Sequence, residues 1–223
     1  MADMKVKRKI QIAVDVLMAC DLLVLMSYSV AGEVLHEILG ILMFCLFIAH
    51  HILSRNFTKA LFKGKATPEK IIKIVFDILL TLDMLIMIFS ALLVSRHVFL
   101  FLNIDTMSSL GRVLHMLGAY WGFALIGIHI GFHLDFMLGK TLKNKKKRPF
   151  AIGVMTLLFA AGLIVFVHEG IIKYMFLINQ FVFFDTNGGL PVFIIKYILI
   201  LLMYVALGYA LISISKIKIK KRR

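Results

Sequence analysis

The sequence predicts an all-α integral membrane protein with six transmembrane helices, four of which come from a two-helix unit that occurs twice. Three observations predict it: a composition too apolar for a soluble domain, six separated apolar runs, and two polar motifs that each recur at fixed spacing. Of 223 residues, 61% are hydrophobic, and the mean hydropathy is +0.95, well outside the range of average soluble chains. A hydrocarbon core of about 30 Å takes about 20 residues of helix to cross. Runs of that order are expected at 10–31, 34–53, 71–95, 113–137, 150–167 and 190–213.

The formal net charge of +14 is not a nucleic-acid signature, because the cations are segregated by loop. Lys5, Lys7, Arg8 and Lys9 precede the first run, Arg55 to Lys73 separate the second from the third, Lys140 to Arg148 separate the fourth from the fifth, and Lys216 to Arg223 end the chain. Only Arg96, Arg112, Lys173 and Lys196 fall on the opposite side. By the positive-inside rule both termini are cytoplasmic. The basic start followed by an apolar run is not read as a signal peptide, since that run is long and contains Asp15 and Asp21. Cys20 and Cys45 both fall inside expected spans, which gives no disulfide framework.

The first expected helix reads DVLMACDLLVLMSYSV from Asp15 and the third reads DILLTLDMLIMIFSAL from Asp77, so Asp-x5-Asp recurs in the same apolar filling. The second and fourth carry the other motif: His36 and His50 lie fourteen residues apart, as do His115 and His129. Fourteen helical steps fall about 40° short of four full turns and rise about 21 Å. Both histidines of each helix therefore face one way, near opposite leaflets. The two copies, residues 10–55 and 71–138, start on the same side of the membrane and run parallel. His36 and His115 then share the outer level, and His50 and His129 the inner. Two facing pairs at matched depth have the geometry to hold two haem b groups, each clamped by one histidine from each copy.

Other polar residues are weighed against that frame. Asp21 and Asp83, near mid-membrane, are expected to accept hydrogen bonds from a neighbouring helix, with a proton relay as the alternative. His51 is turned about 100° from His50, and His133 lies one turn beyond His129 but breaks the matched spacing. His97 and His168, on the outer side, read as solvated interfacial side chains; a proton-accepting role at an outer quinol site is the alternative, with His97 the better placed. Gly40, Gly118 and Gly122 share the histidine faces, where small residues let a flat macrocycle or a neighbouring helix approach. Arg112, one turn before His115, is placed to neutralise outer haem propionates, and Arg55 or Lys140 inner ones.

Residues 1–148 are thus expected to form the four-helix di-haem core, and 149–223 an added transmembrane hairpin with a basic cytoplasmic tail. The outer link of that hairpin contains IIKYMFLINQFVFF, too interrupted to span and too apolar for a free loop. It is expected to lie along the outer interface and partly cap the bundle.

VLHEILGILMFCLFIAHH, SRHVFLFLNID, GRVLHMLGAYWGFALIGIHIGFH and YMFLINQFVFFD together resemble the flavinylation-associated transmembrane cytochromes, a prokaryotic family long treated as a domain of unknown function. The resemblance covers most of the chain. It departs at Ser54 and Leu134, where the family tends to have Asn and Trp. The resemblance implies two b-type haems on His36, His50, His115 and His129, a location in the prokaryotic plasma (inner) membrane, and electron transfer between menaquinone or another quinone and an FMN-bearing outer-face protein. A small proton-coupled transporter using Asp21, Asp83 and the histidines is the alternative from another class. Nothing in the chain points to hydrolytic, nucleotide-binding or phosphate chemistry: it has no Gly-rich phosphate loop and no flavin-binding domain.

Overall fold

A computed structural model describes residues 2–61, 63–99, 101, 108–134, 144, 146–179 and 188–221. Among these residues the chain forms helices and no strands. In order they are α1 (Ala2–Leu25), α2 (Tyr28–Ala31), α3 (Glu33–Leu61), α4 (Pro68–Val94), α5 (Ser108–Phe132), α6 (Arg148–His168), α7 (Ile171–Met175) and α8 (Gly189–Lys221). Four helical stretches are long and apolar enough to cross a membrane: Glu33–Ala60, Ser109–Phe132, Arg148–His168 and Gly189–Ser215. The other two long helices, α1 and α4, carry the aspartate pairs and the first and third expected spans. The end of the fourth expected span, Lys140, part of the outer loop, and Phe181 to Phe184 of the aromatic run lie outside the described residues.

The first expected span does not run unbroken to Ala31. α1 stops at Leu25, where the Ser27 amide and hydroxyl both bond the Val24 carbonyl, at 2.9 and 2.6 Å, closing a tight turn. One turn of α2 follows, and Gly32, at φ 87°, redirects the chain into α3, a conformation that glycine adopts without steric cost. In the second copy α4 starts on a Thr67 cap that accepts from Lys70 N at 3.3 Å, with Pro68 in its first turn, and continues to Val94 without a break.

α1 packs on α3 and α4 on α5, as two copies of a helix pair should. The pairs are held differently. α5 and α6 both pack on α8, which also touches α4, and the main core lies there: Tyr120, Phe123 and Ala124 of α5 meet Phe193, Tyr197, Ile200, Leu201, Met203 and Tyr204 of α8. The α5–α8 approach is backbone to backbone. A side chain at Gly131 would meet the Val205 carbonyl and Gly208 Cα, and one at Gly208 would meet the Ile128 carbonyl, the close contact that small residues permit between membrane helices. The final helix is thus a structural partner of the second copy, rather than an addition at its edge. α7 covers the outer end of this core with Ile171, Tyr174 and Met175 buried, and Trp121 Nε1 donates to the Met175 carbonyl at 2.9 Å. Phe176 and Ile178 just beyond it are exposed, so this segment is two-sided.

By contrast α1 and α3 present apolar side chains outward, among them Leu17, Ile41, Leu42, Phe44 and Ile48. α3 and α4 meet at few positions.

Candidate functional site

His36 rises from the first turn of α3 and His115 from the second turn of α5, and their rings meet across the gap between the copies. The ring centroids are 5.8 Å apart with planes at 71°. Two imidazoles binding one metal atom from opposite sides, with bonds of about 2 Å and ring radii of about 1 Å, have centroids about 6 Å apart. The pair therefore has the spacing for a single atom between ring nitrogens. Ser90, fully buried on α4, orients one partner: its hydroxyl donates to the Met87 carbonyl at 3.0 Å and lies 3.1 Å from His115 Nδ1. With the hydroxyl proton committed to Met87, Nδ1 carries the donor hydrogen and Nε2 keeps its lone pair free. On the other side, the Tyr28 ring packs edge-on against His36 at 5.2 Å, and His36 Nδ1 is buried without a hydrogen-bond partner.

At the inner level each histidine faces an aspartate of its own copy. His50 Nδ1 donates to Asp15 Oδ1 at 2.7 Å, and His129 Nδ1 lies 3.1 Å from Asp77 Oδ1. Asp15 and Asp77 are the matching residues of the two Asp-x5-Asp motifs, so the duplication reproduces the contact. A carboxylate on the second nitrogen fixes the tautomer and raises the basicity of the first, the arrangement common behind metal-binding histidines. Around them His51 packs on Phe47 and on His50, at centroid distances of 4.2 and 5.6 Å, and its Nδ1 donates to the Phe47 carbonyl. His133 packs on His129 at 4.9 Å and on Phe57 at 5.4 Å. The inner histidines thus each have an aspartate and a second imidazole as neighbours, whereas the outer two meet one another directly.

Sequence reasoning expected Asp21 and Asp83 to accept hydrogen bonds from a neighbouring helix, and the aspartates found beside the histidines are instead Asp15 and Asp77. The signal was depth: Asp15 lies as near the inner surface as His50 does. Asp21 is buried with both oxygens unpartnered, and it lines an apolar groove between α1 and α3 with Leu17, Val24, Leu39 and Leu42. Asp83 lines the corresponding groove of the second copy with Ile86, Leu114, Leu117 and Trp121. Its carboxylate sits against Gly118 and Gly122, where a Cβ on Gly122 would meet Oδ2. Those two glycines therefore make room for α4. A Cβ on Gly40 would meet nothing within 4 Å, which leaves the α3 face open.

On the outer side Arg112 is exposed, and His97 Nε2 lies 3.4 Å from Glu33 Oε2. Glu33 also accepts from the Tyr28 hydroxyl at 2.9 Å and from Arg96 at 3.3 Å, so His97 belongs to a surface ion-pair cluster. Cys20 and Cys45 are free and exposed. Among the described residues no three His, Cys, Asp or Glu side chains are grouped to hold a metal ion. A haem needs only two side chains, since the porphyrin supplies the other four nitrogens. Comparison with known protein families, with curated sequences and with solved structures finds no match to this chain.

Proposed function

We propose that the chain is a six-span membrane electron carrier holding two haem b groups, the outer between His36 and His115 and the inner between His50 and His129. The observation that carries this reading is the His36–His115 pair, 5.8 Å between centroids on helices of different copies. Two of the four, His115 and His50, also have Nδ1 hydrogen-bonded to a hydroxyl or a carboxylate, which leaves Nε2 with its lone pair free, and His129 Nδ1 lies 3.1 Å from Asp77 Oδ1 without a hydrogen bond. A bound haem of this type supplies reversible one-electron transfer at iron, with its potential set by axial ligands, nearby hydrogen bonds and burial. His36 and His115, and His50 and His129, would hold the groups through their ring nitrogens, with Ser90 and Asp15 fixing tautomers and the apolar faces of α3 and α5 excluding water. Arg112, exposed one turn before His115, supplies an outer cation for propionates.

With both termini cytoplasmic, as the lysine and arginine distribution requires, the two pairs lie about 21 Å apart along the membrane normal. Two such stations carry an electron from one leaflet to the other. The resemblance to the flavinylation-associated transmembrane cytochromes extends this to exchange between a quinone and an outer-face FMN-bearing protein. The proton-coupled reading rests on the unpartnered carboxylate of Asp21, which is a mid-membrane acid without a structural role. Dithionite-reduced minus oxidised spectra and pyridine haemochrome assay of the purified chain separate the two readings. Low-spin b-type bands with about two haems per polypeptide are expected, and well-folded protein with one haem or none refutes the di-haem assignment.

A further inference from the structure

Both ends of the outer histidine pair hang on the last turns of α4. His115 is tied to it through Ser90, at 3.1 Å. His36 is tied to it through its neighbour in sequence, Glu37. The Glu37 carboxylate accepts four hydrogen bonds from the segment that follows α4: Ser95 Oγ at 2.7 Å, Arg96 N at 2.7 Å, His97 N at 3.2 Å and Val98 N at 2.8 Å. Ser95 Oγ in turn accepts from Phe99 N at 3.0 Å, which closes the turn around the carboxylate. Charge-assisted bonds of this kind are about twice as strong as neutral ones, and here they span about sixty residues of sequence between the copies. Beside them, among the described residues, stand only the longer, exposed Glu33 contacts to Arg96 and His97, at 3.3 and 3.4 Å, and α3 and α4 otherwise meet at few positions. α4 is itself seated firmly on α5, where a Cβ on Gly111 would lie 2.7 Å from Leu93 Cβ.

We propose that Glu37 is the positioning residue of the outer pair, a carboxylate clamp that sets the distance of His36 from His115 by fixing the start of α3 to the end of α4. The proposal rests on the haem reading only for its spectroscopic test. In sequence, Glu37 reads as one more acid at a membrane interface, and its counterpart in the second copy is Met116, so the duplication does not flag it. The clamp exists only where the copies meet.

Three variants of the purified full chain test it: Glu37→Ala, Glu37→Gln and Glu37→Asp. In Glu37→Ala the amides of Arg96, His97 and Val98 are expected to exchange roughly tenfold faster or more, the factor of one charge-assisted bond. The electron paramagnetic resonance signal and midpoint potential of the outer haem are expected to shift while those of the inner haem stay put, with haem content retained. Glu37→Asp, which keeps the charge, should restore most of the outer signal, and Glu37→Gln, which turns an amide N–H toward donors, should not. An outer signal in Glu37→Ala identical to wild type, or equal shifts of both haems, overturns the proposal.

The geometric claim is also read without haem. In a chain with Cys20 and Cys45 replaced by Ser, a His36→Cys, His115→Cys pair should crosslink with a short bismaleimide, and adding Glu37→Ala should abolish most of that crosslink. Unchanged crosslinking overturns the clamp whatever the haem content. A wild type that binds no haem, together with a His36→Cys, His115→Cys chain that crosslinks and loses the crosslink on Glu37→Ala, sinks the haem assignment and leaves the clamp standing.

Discussion

Replacing Asp77 with Asn tests whether the duplicated aspartate–histidine contacts support haem ligands or are only internal ion pairs. Asp77 Oδ1 lies 3.1 Å from His129 Nδ1 without a hydrogen bond, so the amide chiefly removes the charge. A lone ion pair of this kind contributes about 1 kcal/mol or less, so the substitution should cost the inner site up to about fivefold in haem affinity. Asp77 and His129 side chains are 30% and 25% exposed, low enough that this figure stands. The Asp15 side chain is 54% exposed, and solvent screening should reduce the effect of Asp15→Asn to about twofold. Removing the acceptor altogether, as Asp77→Ala, should bring the loss to about 10–100-fold, the usual cost of deleting a partner behind a metal-binding histidine. Each variant should also raise the midpoint potential of the inner haem, because a negative charge that favoured ferric iron is gone. The assay is the rate of haem transfer to excess apomyoglobin, read alongside a potentiometric titration that resolves the two haems. If Asp77→Asn moves the outer haem, or leaves both haems unaltered in loss rate and potential, the reasoning that joins Asp77 to an axial His129 fails.

Three further outcomes follow. His36→Ala and His115→Ala should delete the same spectral component, and His50→Ala and His129→Ala the other; like behaviour of His36→Ala and His129→Ala would refute parallel copies. Gly131→Ala should lower the thermal midpoint of the chain markedly, since its methyl meets the Val205 carbonyl and Tyr209 N on a neighbouring backbone that cannot swing aside, an overpacking cost of about 1–3 kcal/mol. Gly40→Ala, with open space around it, should leave that midpoint unchanged. If His97 serves an outer quinol site, His97→Ala should slow reduction of the haems by a menaquinol analogue roughly a hundredfold, the contribution of a lost proton acceptor, with haem content intact; unaltered kinetics would leave His97 as the surface partner of Glu33.

The helical class and the outer histidine pair were legible in the sequence because each rests on a strong periodic signal. Apolar runs of membrane length admit few alternatives, and a fourteen-residue spacing repeated on two helices puts four imidazoles on two faces. The break after Leu25 was not legible. It depends on Ser27 bonding back to Val24, and serine in an apolar run does this only in some contexts. The role of α8 was missed for a different reason. Its run from Val192 to Ile214 is apolar, with Lys196 its one charged residue, so it displays no face, and the sequence reading of a hairpin packed on the four-helix core could not say which helix it packs on. Gly208 was the available hint, and only its match to Gly127 and Gly131 on α5 gives it meaning. Asp15 and Asp77 were passed over because depth alone made Asp21 and Asp83 the costlier residues, and cost was taken as the guide to partnership.

The two copies have diverged in what holds them, and this bears on how the histidine pairs work. α5 is packed against α4, α7 and α8, with His115 seated on Ser90, so one histidine of each proposed pair belongs to a rigid body. α3 packs chiefly on α1, with most of its apolar surface outward and its start tied across by Glu37, which reaches Ser95 and three following amides, and by the exposed Glu33 contacts to Arg96 and His97. A pair formed between a fixed helix and a tethered one can tighten on a flat group placed between them without disturbing the core. The strength of that grip then depends on the tether. Equal anchoring of both helices would make the separation a property of the core, and a change at either outer connection would go unfelt at the histidines. With one helix tethered, changes in the segment Ser95–Val98 reach His36 through Glu37, and through Glu33 one turn before it, and the outer pair is the level at which the chain can be tuned.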